Sequence, residues 1–173
     1  MDLHSKVVIG RFWHGVATEA AWLVLSHGGG LRLPAPGEHA HDPGDYGLAV
    51  YLTDVKARAK SYATRVGGKL TLLECRVHLE NALVFDWREG SALDPKHPMN
   101  VQTEFFEKLY GDPIHGSPED RRRVAEKWRA RLLAQGYDGV IVVRRDETEV
   151  AVYCPETSIS EIRVDGGDDA RTV

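Results

Sequence analysis

Residues 47–68 read Gly47-Leu48-Ala49-Val50-Tyr51-Leu52-Thr53-Asp54-Val55-Lys56-Ala57-Arg58-Ala59-Lys60-Ser61-Tyr62-Ala63-Thr64-Arg65-Val66-Gly67-Gly68. This stretch decides the fold class. Leu48 to Leu52 is a short apolar run of the kind that forms a buried strand. Thr53 or Asp54 then caps a helix. Val55, Ala59, Tyr62, Ala63 and Val66 recur at helical spacing, Lys56, Lys60 and Arg65 fall on the other face, and Gly67-Gly68 stops the run at about Val66.

Working outward, strands and helices do not alternate in a regular rhythm. Upstream, Val7 to Trp13 is a strand that His14-Gly15 ends, and Thr18 caps a short helix to about Ser26. Gly28 to Gly47 is a long non-periodic segment, and such segments often carry function. Downstream, Lys69 to Leu79 and Ala82 to Phe85 are strands separated by Glu80-Asn81. Asp86 to Asn100 is a loop with Pro95 and Pro98, and Val101 to Tyr110 is a helix. Ser117-Pro118-Glu119-Asp120 is a helix start, with a capping serine, proline at the first position and two acids at the positive end. Val124, Trp128 and Leu132 form its buried face and Gly136 ends it. Tyr137-Asp138-Gly139 turns into Val140 to Val143, Arg144 to Thr148 connects to Val150 to Tyr153, and Ile159 to Val164 is a last strand. The expectation is one α+β domain over residues 1–164 with a polar tail over 165–173.

Composition narrows the function classes. A chain of 173 residues suits one domain of roughly 16 Å radius of gyration, large enough for a core and a cleft. The 22 Lys+Arg stand against 26 Asp+Glu, a formal charge of -4, which argues against a mainly electrostatic nucleic-acid binder. No apolar run reaches the roughly 18 residues of a membrane helix. The start, Met1 to Lys6, does not read as a signal peptide. Cys75 and Cys154 lie in apolar runs without C-x-x-C spacing, as two buried thiols of a reducing, cytoplasmic setting would.

The polar residues that can carry chemistry are His14, Tyr51, Tyr62, Glu147 and Glu149. His14 can exchange a hydrogen bond with a sugar hydroxyl, and Gly15 beside it lets a ligand approach the backbone. The ordinary alternative is a satisfied histidine on a strand. Tyr51 and Tyr62 are each read as core residues when taken singly; together they can face a flat heteroaromatic ring. Glu149 opens an apolar strand, and Glu147 shares its side if the strand reaches that far. Paired carboxylates can divide tasks in sugar transfer, or can be solvated strand ends. His39, His41, Asp42 and Asp45 are a weak metal set, so no metal is expected. Cys75 with His78 lacks an ordered third member for a thiol triad. Arg121, Arg122, Arg123, Lys127, Arg129 and Arg131 make the helix over 117–135 basic, either as a solvated face or as a dock for an acidic partner.

Three separated blocks together resemble the ADP-ribosyltransferase superfamily of the histidine–tyrosine–glutamate type, the diphtheria-toxin and poly-ADP-ribose-polymerase branch. They are Phe12-Trp13-His14-Gly15, the Gly47 to Thr53 block leading to Tyr62, and Glu149-Val150-Ala151-Val152-Tyr153. The resemblance covers most of residues 7–160. It implies a split mixed or antiparallel sheet with flanking helices, and a glycosyl transfer in which NAD is the co-substrate. His14 would hold a ribose hydroxyl and the Gly15 backbone the nicotinamide carboxamide. Tyr62 would stack on the nicotinamide, Tyr51 would line its other side, and Glu149 would stabilise the cationic sugar. Glu147-Thr148-Glu149 matches the Glu-x-Glu of the superfamily's arginine-targeting branch, so Glu147 would orient an acceptor or have no catalytic part, the acceptor being a protein, a nucleic acid, a small molecule or, in an NAD glycohydrolase, water. Ala59 stands where the family often has a small hydroxyl residue and Ala49 where it has a glycine, which keeps a non-catalytic binding module as an alternative. Arg11 lies near the first strand's end, but His14-Gly15 fits the pattern better. The resemblance fits a toxin, a modification enzyme and a defence component alike.

Overall fold

A computed structural model describes residues 5–18, 21, 30–35, 46–64, 69–88 and 117–165. Among them are β1 (Ser5–Ala17), β2 (Val50–Thr53), α1 (Lys56–Thr64), β3 (Leu70–Asp86), α2 (Pro118–Ala134), β4 (Gly139–Val143), β5 (Thr148–Val152), α3 (Pro155–Ser158) and β6 (Ile159–Val164). The sheet is mixed: β3 and β4 run parallel, and every other pairing is antiparallel. Its order is β1-β2-β5-β4-β3-β6, and β1 also pairs with β3. The pairings therefore close on themselves, from β1 through β2, β5, β4 and β3 back to β1, with β6 outside the circuit on β3.

Two strands are longer than the sequence suggests. His14 and Gly15 do not end β1; they lie inside it, opposite Leu73 and Leu72 of β3. The expected break at Glu80-Asn81 is also absent, and β3 is one strand of 17 residues. The polar pair is accommodated because the Asp138 carboxylate accepts the Glu80 N–H at 2.6 Å and the Asn81 N–H at 3.1 Å. Asn81 also donates to the Gly136 carbonyl at 2.8 Å. Those bonds tie β3 to the turn where β4 begins, and the parallel pairing starts one residue later, at Ala82 opposite Gly139.

Alternation along the strands sorts residues into two cores. Val50 and Leu52 of β2, Ile141 of β4, and Val150 and Val152 of β5 join Phe12, Leu73, Cys75, Val77 and Leu79. On the opposite face Ala151, Val140 and Val142 join Tyr46, Phe85 and Tyr153 beneath α2, which contributes Val124, Trp128 and Leu132. α2 starts as its sequence predicts: the Ser117 side chain accepts the Asp120 N–H and Asp120 reaches back to the Ser117 backbone. The other predicted helix ends at Thr64 among the described residues.

α1 seats on β1 at Gly15. A Cβ there would stand 2.3 Å from the Ala59 carbonyl oxygen and 2.6 Å from the Ala63 Cβ. The close approach that Gly15 permits is thus taken by a helix of the same chain. Ala59, whose carbonyl forms this crossing, is itself buried.

Of the helix expected over Thr18–Ser26, only Thr18 and Ala21 are among the described residues. The Thr18 hydroxyl, expected as a cap, donates to the Lys69 carbonyl at 2.9 Å. The helix expected at 101–110, most of the two long loops, and the set His39, His41, Asp42 and Asp45 lie outside the described residues. So does the tail beyond Asp165, whose own N–H donates to the Leu72 carbonyl at 2.8 Å and whose carboxylate pairs with Lys56. No helix among the described residues is long and apolar enough to cross a membrane.

Candidate functional site

The cross-strand row through Glu149 runs Trp13, Thr53, Glu149, Val142. Opposed residues share a face, so Thr53 flanks the Glu149 carboxylate. This is the face on which Gly15 lets α1 descend, and α1 brings Arg58 and Tyr62 towards it. The β4–β5 turn supplies the rest. The Arg144 N–H donates to the Glu147 carbonyl at 2.7 Å, which folds residues 144–147 into a tight reversal.

Charge converges here. Glu147 and Glu149 are both buried. Arg144 Nη1 lies 3.0 Å from Glu149 Oε2 and 3.7 Å from Glu147 Oε2. Arg58 Nε lies 3.4 Å from Glu147 Oε2. Thr53 donates its hydroxyl to Glu147 Oε1 at 3.0 Å and accepts the Val55 N–H at 3.1 Å. The Arg144 guanidinium also sits over the Trp87 ring, 4.8 Å from its centroid. Burial alone would lower the Arg144 pKa, but the Glu149 hydrogen bond and the fields of Tyr46, Glu149 and Glu147 carry it above the ordinary arginine value. Tyr62, half-exposed, is raised by burial first and then by Glu149 and Glu147, so it is a protonated phenol at neutral pH.

The predicted residues fall into two groups. Glu147 and Glu149 meet at Arg144, although β5 begins only at Thr148, and Tyr62 feels the charges of all three. His14 and Tyr51 meet elsewhere on β2. His14 Nδ1 lies 2.7 Å from the Tyr51 carbonyl, which can only accept, so Nδ1 is the donor of this bond. The Tyr51 hydroxyl donates to the Gly47 carbonyl at 2.7 Å and accepts the Tyr46 N–H at 2.9 Å. Its phenol therefore fastens the turn at Gly47, whose φ of 95° needs a glycine.

Sequence reading missed Arg144, Arg58 and Thr53. A signal existed: Arg144, Glu147 and Glu149 frame a segment between two apolar strands too short for anything but a turn. Part of the basic face of α2 is structural. Arg122 donates to the carbonyls of Ala35 and Pro34, each at 3.0 Å, and Arg129 donates to the Tyr153 carbonyl at 2.9 Å. Arg123, Lys127 and Arg131 are the exposed cations of that helix. Among the described residues no cluster of three or more His, Cys, Asp or Glu side chains is placed to hold a metal. Cys75 is buried, Cys154 is half-buried, and neither forms a disulfide.

No family model matches the chain, and no curated protein matches it. Among solved structures it is similar to the M. tuberculosis MbcT–MbcA toxin–antitoxin complex, at 13% identity over 92% of this chain and 86% of that chain, with a TM-score of 0.42. So distant a likeness carries no functional inference.

Proposed function

We propose that this chain is an NAD-consuming enzyme that breaks the nicotinamide–ribose bond and passes ADP-ribose to an acceptor. The observation that carries the reading is the convergence of two buried carboxylates, Glu147 and Glu149, with Tyr62 of α1 and the Arg144 cation. In such a reaction the C–N electron pair leaves with nicotinamide, which neutralises its ring nitrogen, and the ribose carbon becomes an oxocarbenium. A fixed carboxylate beside that carbon stabilises the transition state more than the ground state. Glu149 takes this role. The half-exposed Tyr62 ring offers a stacking surface for the leaving group. The acceptor then adds to the same carbon and releases a proton, with Glu147 beside it. Water as the acceptor makes the enzyme a glycohydrolase, and a macromolecule or small molecule makes it a transferase.

The test is nicotinamide release from NAD by the wild type and Glu149→Gln, with and without a cell lysate as acceptor source. Loss of about 100-fold or more in the variant, with folding retained, is expected; an unchanged rate overturns the assignment. Free ADP-ribose as sole product identifies hydrolysis, and labelled lysate material identifies transfer. One observation favours a second reading. Glu149 Oε2 is already ion-paired with Arg144, as suits a binding module that performs no chemistry. That reading predicts saturable binding of an acidic partner to α2, lost on charge reversal of Arg123 and Lys127, with no nicotinamide released.

A further inference from the structure

We propose that Arg144 is the positioning residue of this site, the counter-ion that keeps Glu147 and Glu149 ionised side by side. The inference rests on Glu149 being the carboxylate at the reacting sugar. The side chains of Glu147 and Glu149 are 3% and 11% exposed, one residue apart, and they meet at one nitrogen of one guanidinium. Two carboxylates buried so close repel one another, and a cation placed between them offsets that repulsion. A protonated Glu149 cannot stabilise a cation.

The groups facing the pair come from every surrounding element. Arg144 comes from the β4–β5 turn, Arg58 and Tyr62 from α1, and Thr53 from β2, while Tyr46, before β2, and Trp87, just after β3, act on Arg144. Tyr62, Thr53 and Tyr46 bring no positive charge, so the balance falls to two arginines. The Arg58 side chain is 55% exposed and touches Glu147, whereas Arg144 is 26% exposed and spans both carboxylates. Water screens the first more than the second. Arg144 is also the better anchored. Its backbone closes the turn on Glu147, and its guanidinium lies over the Trp87 indole. It therefore sets both the charge and the direction of Glu149 without itself touching the bond that breaks.

The experiment compares wild type, Arg144→Gln, Arg144→Lys, Glu147→Gln and Arg144→Gln/Glu147→Gln. Two readouts are taken across pH: kcat/KM for nicotinamide release, and the titration of the glutamate carboxyl carbons by NMR. In Arg144→Gln the acidic limb moves up by about one pH unit, a tenfold loss on its acid side that recovers as pH rises. Arg144→Lys keeps the wild-type limb. The double variant, which removes the like charge together with its counter-ion, returns the limb towards wild type. Glu147→Gln alone moves the limb down, and this tests the charge argument even if Arg144→Gln fails to fold. A loss in Arg144→Gln of the same factor at every pH, with carboxyl titrations unmoved, overturns the proposal and leaves Arg144 a structural residue. A wild type that releases no nicotinamide overturns the glycosyl-transfer reading instead, while the carboxyl titrations still decide the role of Arg144.

Discussion

Gly15→Ala tests whether the crossing of α1 over β1 builds the site. A glycine inside a strand is ordinarily a weakness, and alanine there gains about 0.4–1 kcal/mol by restricting the unfolded chain. Space reserved for a ligand would allow that gain. The structure predicts the opposite sign. The new Cβ would lie 2.3 Å from the Ala59 carbonyl oxygen, 3.2 Å from its carbon and 2.6 Å from the Ala63 Cβ. Relieving the first contact needs α1 to move by roughly 1 Å from β1. The obstructing oxygen is backbone, so no rotamer change removes it. Overpacking of this kind costs about 3 kcal/mol, the upper part of the usual range. In a chain of this size that lowers Tm by roughly 6 to 12 °C. Denaturant titration and thermal melting measure the loss, and Ala63→Gly in the same background should restore little of it, because the Ala59 carbonyl remains. The displaced helix carries Arg58 and Tyr62, so nicotinamide release falls as well. A Gly15→Ala protein as stable as wild type, or more so, refutes the reasoning.

The other predictions follow from single contacts. Thr53→Val removes the donor to Glu147 and the acceptor for the Val55 N–H, and should cost about 2 kcal/mol in denaturant unfolding; a change below about 0.5 kcal/mol, within the range of ordinary surface substitutions, would show that the bond contributes nothing. Tyr62 should ionise above the ordinary tyrosine value of 10.0 when followed by ultraviolet absorbance, and Glu149→Gln should bring that titration down by removing the second of its causes. Burial, with the charge of Glu74 behind it, pushes the Cys75 thiol up to about 12. At pH 8 an alkylating reagent should therefore modify Cys154 in the native protein and reach Cys75 only on unfolding. Because that folded value lies above the ordinary 9.0, the contribution of Cys75 to stability is whole below pH 9 and is lost as pH rises towards 12.

Local signals were enough wherever an element is stabilised by its own neighbours along the chain. Ser117 to Asp120 announces the start of α2 because capping is a contact over three residues, and Val124, Trp128 and Leu132 announce its buried face because helical periodicity is local. Val150 and Val152 are legible as core for the same reason, since alternation on a strand needs no knowledge of its partner. The sequence by itself thus determined a mixed set of strands and helices, the inner face of α2, and the residues Glu147, Glu149 and Tyr62 as candidates. It could not show that β1 runs on through His14-Gly15, because a pairing with β3 some sixty residues away holds that strand together. Nor could it show that Glu80-Asn81 leaves β3 unbroken, because Asp138, another 57 residues on, satisfies their amides. Only the tertiary structure decided that Gly15 receives a helix and that Arg144 stands between the two glutamates. Both are consequences of strand register and close packing between distant segments, and neither leaves a periodic trace along the chain.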